Sequence, residues 1–272
     1  MNPFGADALF GGSIPELYDT HLVPLIFEPY AVDLARRAMA LAPSRVLETA
    51  AGTGVLTRAL ARALPASAEL TATDLNPPML ARAAAVGTVR PVNWQPADAL
   101  RLPFGDAGFD LVACQFGVMF FPDKAGAFRE ARRVLKPGGA LLFNVWDRIE
   151  ENEFADVVTH ALGVLYPEDP PRFLARTPHG YFDREAISRD LAAAGFGAAP
   201  EFQIVSERSR AASPLEAAIA YCQGTPLRNE IEARAPGGVG AATLACEEAL
   251  AKRFGTGAVE GRIQAHVVSV RA

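Results

Sequence analysis

The stretch RVLETAAGTGVLTRAL, residues 45–60, sets Ala50, Ala51, Gly52 and Gly54 with a threonine between an apolar run and an amphipathic one. Residues this small, after a strand and before a helix, let a ligand lie against the backbone, where amide N–H groups and the positive helix terminus favour polar or anionic groups. Twenty residues beyond Gly54, TATDLNPPML puts Asp74 at the end of the next β-rich run. A carboxylate there can accept hydrogen bonds from both hydroxyls of a ribose, whereas alone it would read as a helix cap ahead of Pro77. The dinucleotide fingerprint needs a third glycine three residues after the second, and those positions hold Val55 and Thr57. No Gly-Lys-Ser/Thr follows to hold a triphosphate. The pattern points to an adenosine ligand without a pyrophosphate.

The elements that must position these residues alternate. Strand-like runs occur at 44–49, 68–74, 89–95, 109–116 and 139–146, separated by the helical patterns VLTRALARAL, PMLARAAAV and AGAFREARRVL. Such alternation predicts a parallel sheet with helices on both faces. Pro137 and the Gly138-Gly139 pair are expected to stop one helix and turn the chain into the fifth strand. Residues 148–180 lose regular periodicity and gather proline and aromatic residues in YPEDPPRFLARTPHGYF, which marks a lid or substrate loop. In DREAISRDLAAAGF a helix resumes, with Asp183 as N-cap and Gly195 as the stop. APEFQIVSER and GRIQAHVVSV alternate apolar with polar residues and suit an antiparallel pair at one sheet edge, with helical segments at 214–254 between them.

Composition bounds the partners. Of 272 residues half are hydrophobic, the formal net charge is −5, and the pI lies near 5.5. A chain so apolar folds as a globular unit, and without a basic footprint it is not expected to bind nucleic acid. A small molecule is the better partner. The N-terminus lacks a charged-then-apolar leader and no run is long enough to span a membrane, so a cytoplasmic location is expected. Cys114, Cys222 and Cys246 are scattered without histidine spacing, which reads as reduced packing residues and no metal site.

With these segments in place, the sequence resembles the class I S-adenosylmethionine-dependent methyltransferases, in particular the small-molecule group related to ubiquinone and menaquinone biosynthesis C-methyltransferases. VLETAAGTG is similar to their first motif and TATDLNPPMLARA to the second, while QPADALRLPF, FDLVACQFGVMFFPD and LKPGGALLF are similar to later ones. The resemblance runs through residues 15–146 and returns in the final strands. One departure is Ala50, where the family more often has glycine.

The resemblance implies an α/β, Rossmann-like fold: a seven-stranded, mostly parallel sheet, helices on both faces, the last strand antiparallel. It implies a single methyltransferase domain over 1–272, with an N-terminal helical cap at 1–42 and lid or substrate elements at 148–180 and 214–254. It also implies S-adenosylmethionine as cofactor. Glu48 would face the methionine ammonium, with Ala50, Gly52 and Gly54 leaving room beside it. Asp74 would take the ribose, Leu75 the adenine face, Asp98 the adenine amino group, and the backbone of Ala99 the ring. Gln115 and Phe116 would mark where the methionine end meets the acceptor. Tyr18 would bond the methionine carboxylate and Phe27 would cover the sulfonium. Phe120 and Phe121 read as core packing.

Methyl transfer from a sulfonium is an in-line displacement, so the protein must align the groups and exclude water. No covalent residue is required, and the acceptor atom, O, N or C, is left open. An acceptor hydroxyl or acidic carbon needs a base, for which His179, Tyr181, His160 and His21 are the candidates. A different class remains: a module of this fold that binds S-adenosylmethionine without transferring its methyl group. The oligomeric state is open, a homodimer included.

Overall fold

The computed structural model describes residues 14–272 of the chain, so the first thirteen residues of the expected N-terminal cap lie outside the described residues. In chain order the elements are α1 (Ile14–Leu17), a π-helical stretch (Tyr18–Phe27), α2 (Glu28–Ala40), β1 (Arg45–Glu48), α3 (Val55–Ala63), β2 (Glu69–Asp74), α4 (Pro77–Val86), β3 (Asn93–Pro96) and β4 (Phe109–Gln115). They continue with α5 (Lys124–Val134), β5 (Leu135–Trp146), α6 (Glu153–Leu165), α7 (Phe173–Arg176), α8 (Arg184–Ala193), β6 (Glu201–Ala211), α9 (Pro214–Gln223), α10 (Leu227–Arg234), α11 (Val239–Phe254) and β7 (Val259–Arg271).

The seven strands form one sheet in the order β3-β2-β1-β4-β5-β7-β6. Strands β1 to β5 pair in parallel. Between β5 and β7 the hydrogen bonds run Gly138 to Ala272 and Asp147 to Gln264, which is antiparallel register, as expected. The strand order reverses between β1 and β4, so the topological switch point, where ligands of open α/β sheets bind, lies at the carboxyl ends of those two strands.

The chain divides into two compact units. A sheet unit comprises Glu28–Val145, Tyr181–Val205 and Ala265–Ala272. Its core sets Leu34 of α2 and Leu56 and Leu60 of α3 against Val46, Leu111 and Leu142 of the strands. The second, helical unit comprises the described residues of Met1–Phe27 together with Trp146–Gly180 and Ser206–Gln264. There α11 packs on α6 and α9, with the rings of Phe154 and Phe254 edge to face at 5.0 Å.

Several boundaries differ from the sequence expectation. The strand expected at 89–95 is confined to Asn93–Pro96, because Pro91 has no amide to give a ladder and Arg90 bonds the Pro65 and Ala68 carbonyls in the preceding loop. The LKPGG segment does not turn before the fifth strand. β5 starts at Leu135, straight after α5, and takes Pro137, Gly138 and Gly139 into a register shift between Phe109 and Leu111, with Gly138 at φ 76°. Residues 148–180 are largely helical, since EFADVVTHALGVL forms α6. Both Asp183, whose carboxylate caps α8 through the Glu185 amide, and Gly195, at φ 91°, act as expected.

Candidate functional site

At the carboxyl end of β1 the chain turns through left-handed backbone three times, at Ala50 (φ 52°), Gly52 (φ 56°) and Gly54 (φ 85°). Amide hydrogen bonds fix the turn between neighbouring strands: Thr49 donates to the Ala113 carbonyl and Ala51 to the Thr73 carbonyl, both at 2.9 Å. The turn delivers the chain into α3, whose N-cap Gly54 has no side chain to bond the first amides, so the positive end of that helix carries no side-chain cap. The two glycines are small for different reasons. A Cβ on Gly54 would lie 2.9 Å from Trp94 and 3.2 Å from Ala83, so protein packing demands that glycine. Around Gly52 only Met79 approaches, at 3.6 Å, and backbone conformation sets the requirement there.

Two buried carboxyl groups flank the turn. Glu48, 1% exposed, accepts a hydrogen bond from Thr57 Oγ1 at 2.6 Å. Burial pushes its pKa up to about 8, against the opposing pull of the Thr57 bond and the nearby Arg58 guanidinium. Asp74 accepts the Gly52 amide on Oδ2 at 2.8 Å and the Asn76 amide on Oδ1 at 2.7 Å. Burial raises its pKa too, opposed by those same amides. The Asp74 carboxylate is therefore tied to the turn itself as well as to its own helix start.

Leu75 follows half-buried. Asp98 bonds the Leu100 amide through Oδ1 at 2.9 Å, an Asx-type turn that presents Ala99 beside it. Gln115 ends β4 opposite Asn144 of β5. Phe116 follows at φ 51°, its amide donating to Asn144 Oδ1 at 2.9 Å, and its ring meets Tyr30 edge to face at 5.2 Å. Glu48, Ala50, Gly52, Gly54, Asp74, Gln115 and Phe116 thus collect at the carboxyl ends of β1, β2 and β4 in the sheet unit. The partners Thr57, Tyr30 and Asn144 carry no motif. Among them the one sequence signal is Asn144, a polar residue that interrupts the apolar strand LLFNVW.

The helical unit holds Tyr18, Phe27, His21, His160 and His179. Tyr18 stacks on Phe27 at 5.2 Å, Phe27 meets Trp146 at 5.9 Å, and Trp146 meets His179 at 6.0 Å. His179 is buried with Nδ1 2.9 Å from the Asp147 carbonyl. A carbonyl only accepts, so Nδ1 carries the hydrogen and Nε2 the lone pair. Burial lowers its pKa to about 4, which keeps the ring neutral. Around it, Gln264 Nε2 donates to Asp147 Oδ2 at 2.7 Å and Asn152 bonds Gln264 in both directions.

The other titratable candidates have plainer surroundings. His160 is exposed on α6 with Asp156 at 3.2 Å, and His21 has Glu216 at 4.0 Å. Tyr181, in the sheet unit, donates to Asp190 Oδ2 at 2.6 Å beneath the Lys124 ammonium; burial and Asp190 both raise its pKa. The three cysteines are buried and unpaired by disulfides.

The chain is similar to known proteins in sequence and in fold. A family model described as a methyltransferase domain matches residues 47–143. Over 177 residues the chain is 37% identical to the demethylmenaquinone methyltransferase of Thermus thermophilus, covering 61% of this chain and 79% of that protein. It is 33% identical over 172 residues to the ubiquinone/menaquinone biosynthesis C-methyltransferase UbiE of Burkholderia mallei, covering 59% and 70%. Among solved structures, the YcgJ protein from Bacillus subtilis is similar in fold, with a TM-score of 0.54 at 18% identity, covering 89% of this chain and 98% of that one.

Proposed function

The chain belongs to the class I S-adenosylmethionine-dependent methyltransferases, and from that premise we propose that it methylates a small hydroxylated aromatic ring of the quinol type. The observation that carries the cofactor half is the pair of buried carboxyl groups, Glu48 and Asp74, on either side of a left-handed turn at the switch point. An ionised carboxylate is costly to bury without a cation, so a site that holds Glu48 at 1% exposure with a hydroxyl as its hydrogen-bond partner suits a ligand bearing an ammonium group. The acceptor half rests on the quinone named for the relatives and on the aromatic pair Trp146 and His179, while Tyr18 and Phe27 stay with the methionine end of the cofactor.

When bound, S-adenosylmethionine supplies an electrophilic methyl group on a sulfonium. The chain's own residues hold and orient. Glu48 would meet the ammonium and Asp74 the ribose hydroxyls, the Gly52 and Asn76 amides keeping the latter carboxylate in place. Leu75, Asp98 and Ala99 would border the adenine, and Gln115 the methionine end. In the acceptor half, His179 Nε2 would take the proton of a ring hydroxyl, since Asp147 already holds Nδ1–H. Tyr181 is a poor base because its hydroxyl already donates to Asp190.

The test is calorimetry with S-adenosylhomocysteine, S-adenosylmethionine and NAD, in which the first two bind and NAD does not. A panel of substituted hydroquinones then separates transfer from mere binding: mass spectrometry should find a methylated product. His179→Gln should lower that turnover by about 100-fold while leaving S-adenosylhomocysteine affinity unchanged. Binding without product on any ring would favour a module that holds the cofactor only.

A further inference from the structure

The buried amide of Asn144 has no part in the assignment above, and it stands next to the second strained residue of the sheet edge. Phe116 lies at φ 51°, a conformation that costs a non-glycine residue about 1–2 kcal/mol and persists only where neighbours over-determine it. Three contacts do so. Asn144 Oδ1 accepts the Phe116 amide at 2.9 Å, the Asn144 carbonyl lies 3.3 Å from the same amide, and the Phe116 ring meets Tyr30, whose hydroxyl donates to the Val205 carbonyl at 3.2 Å. The next residue, Gly117, has no room for a side chain, because a Cβ would strike Cβ of Ala50 and come within 2.8 Å of Cys114 Sγ. Ala50 is the first left-handed residue of the glycine turn. One continuous contact path therefore leads from the Asn144 side chain through Phe116 and Gly117 to the backbone beside Glu48.

We propose that Asn144 is a positioning residue for the cofactor site, holding the β4 turn left-handed so that Gly117 seats against Ala50 and fixes the backbone of the glycine turn. The inference rests on the cofactor reading above and adds a residue that no motif contains. Stability alone does not account for an asparagine here. It is fully buried, and its Nδ2 finds no hydrogen-bond partner among the described residues, so the amide carries a desolvation cost that an apolar side chain of similar size would not. That difference separates a positioning role from a packing one.

The experiment compares Asn144→Leu and Asn144→Asp with the wild type by calorimetry with S-adenosylhomocysteine and by thermal unfolding. Asn144→Leu removes the acceptor for the Phe116 amide while relieving the unsatisfied donor. It should bind at least about tenfold more weakly, with a Tm equal to or above that of the wild type. Asn144→Asp retains an oxygen at the same place and should bind within about threefold of the wild type, even at a lower Tm. Should the leucine variant not fold, Asn144→Ala carries the same comparison. Wild-type affinity in the leucine or alanine variant overturns the proposal. Wild-type protein that does not bind S-adenosylhomocysteine overturns the cofactor reading itself, a different failure visible before any variant is made.

Discussion

Glu48 sits where burial disfavours its charge, and that makes its proton a reporter of ligand binding. Its pKa, about 8 in the fold, lies above the unfolded value, so between roughly pH 4.5 and 8 the folded chain binds more protons than the unfolded one and this group's contribution to stability falls as pH rises. A ligand ammonium beside the carboxyl favours the ionised form and expels the proton. S-adenosylhomocysteine binding at pH 7 should therefore release about one proton, seen as a calorimetric enthalpy that varies with the ionisation enthalpy of the buffer. In Glu48→Gln the release should vanish. An enthalpy independent of buffer in the wild type would mean that no cation reaches Glu48. Burial acts on His179 in the opposite direction, lowering its pKa to about 4, so the ring stays neutral with Nε2 unprotonated but is a weaker base than a solvated histidine.

The turn between β1 and α3 shows what an element can disclose in sequence and what it conceals. Ala50 occupies a left-handed position that glycine reaches without a Cβ penalty, which gives a physical reason for the glycine more common at that place of the first motif and makes the alanine here a strained departure. Ala50→Gly should raise unfolding free energy by about 0.5–1 kcal/mol in urea, the relieved strain outweighing the added entropy of the unfolded chain. A loss of stability would mean that the Ala50 methyl packs usefully against Gly117. The turn, Glu48 and Asp74 were legible because strand, small residues and carboxylate follow one another within thirty residues. Asn144 was not, since its partner Phe116 lies 28 residues away and only the pairing of β4 with β5 joins them. The partner of His179, the Asp147 carbonyl, is a backbone group 32 residues distant that no side-chain pattern encodes. Helix α6 buries Phe154, Ala155, Val157, Val158 and Leu162 at helical spacing, but the exposed Val164 and Leu165 extend the apolar run past that face and blur the period in sequence.

At the scale of the whole molecule, the two compact units are not two lengths of chain laid end to end. Strands β5, β6 and β7 each begin in one unit and finish in the other, so neither can lose its strands without releasing residues of its neighbour. We expect one cooperative unfolding transition in consequence. The chain supplies its own probes, because its two tryptophans are divided, Trp94 in the sheet unit and Trp146 in the helical unit. Trp146→Phe leaves fluorescence that reports on the sheet unit, and Trp94→Phe leaves fluorescence that reports on the helical one. Phe154 offers a perturbation confined to the helical unit, since its buried ring packs on Phe254 and fills the space over Gly261. Phe154→Ala should cost about 3–5 kcal/mol through the cavity it leaves. In urea both single-tryptophan backgrounds should then lose the same increment, their midpoints falling together. A midpoint that moves for Trp146 while that of Trp94 stays would show that the helical unit opens by itself, and the shared strands would then be hinges in the energetics of folding instead of couplers.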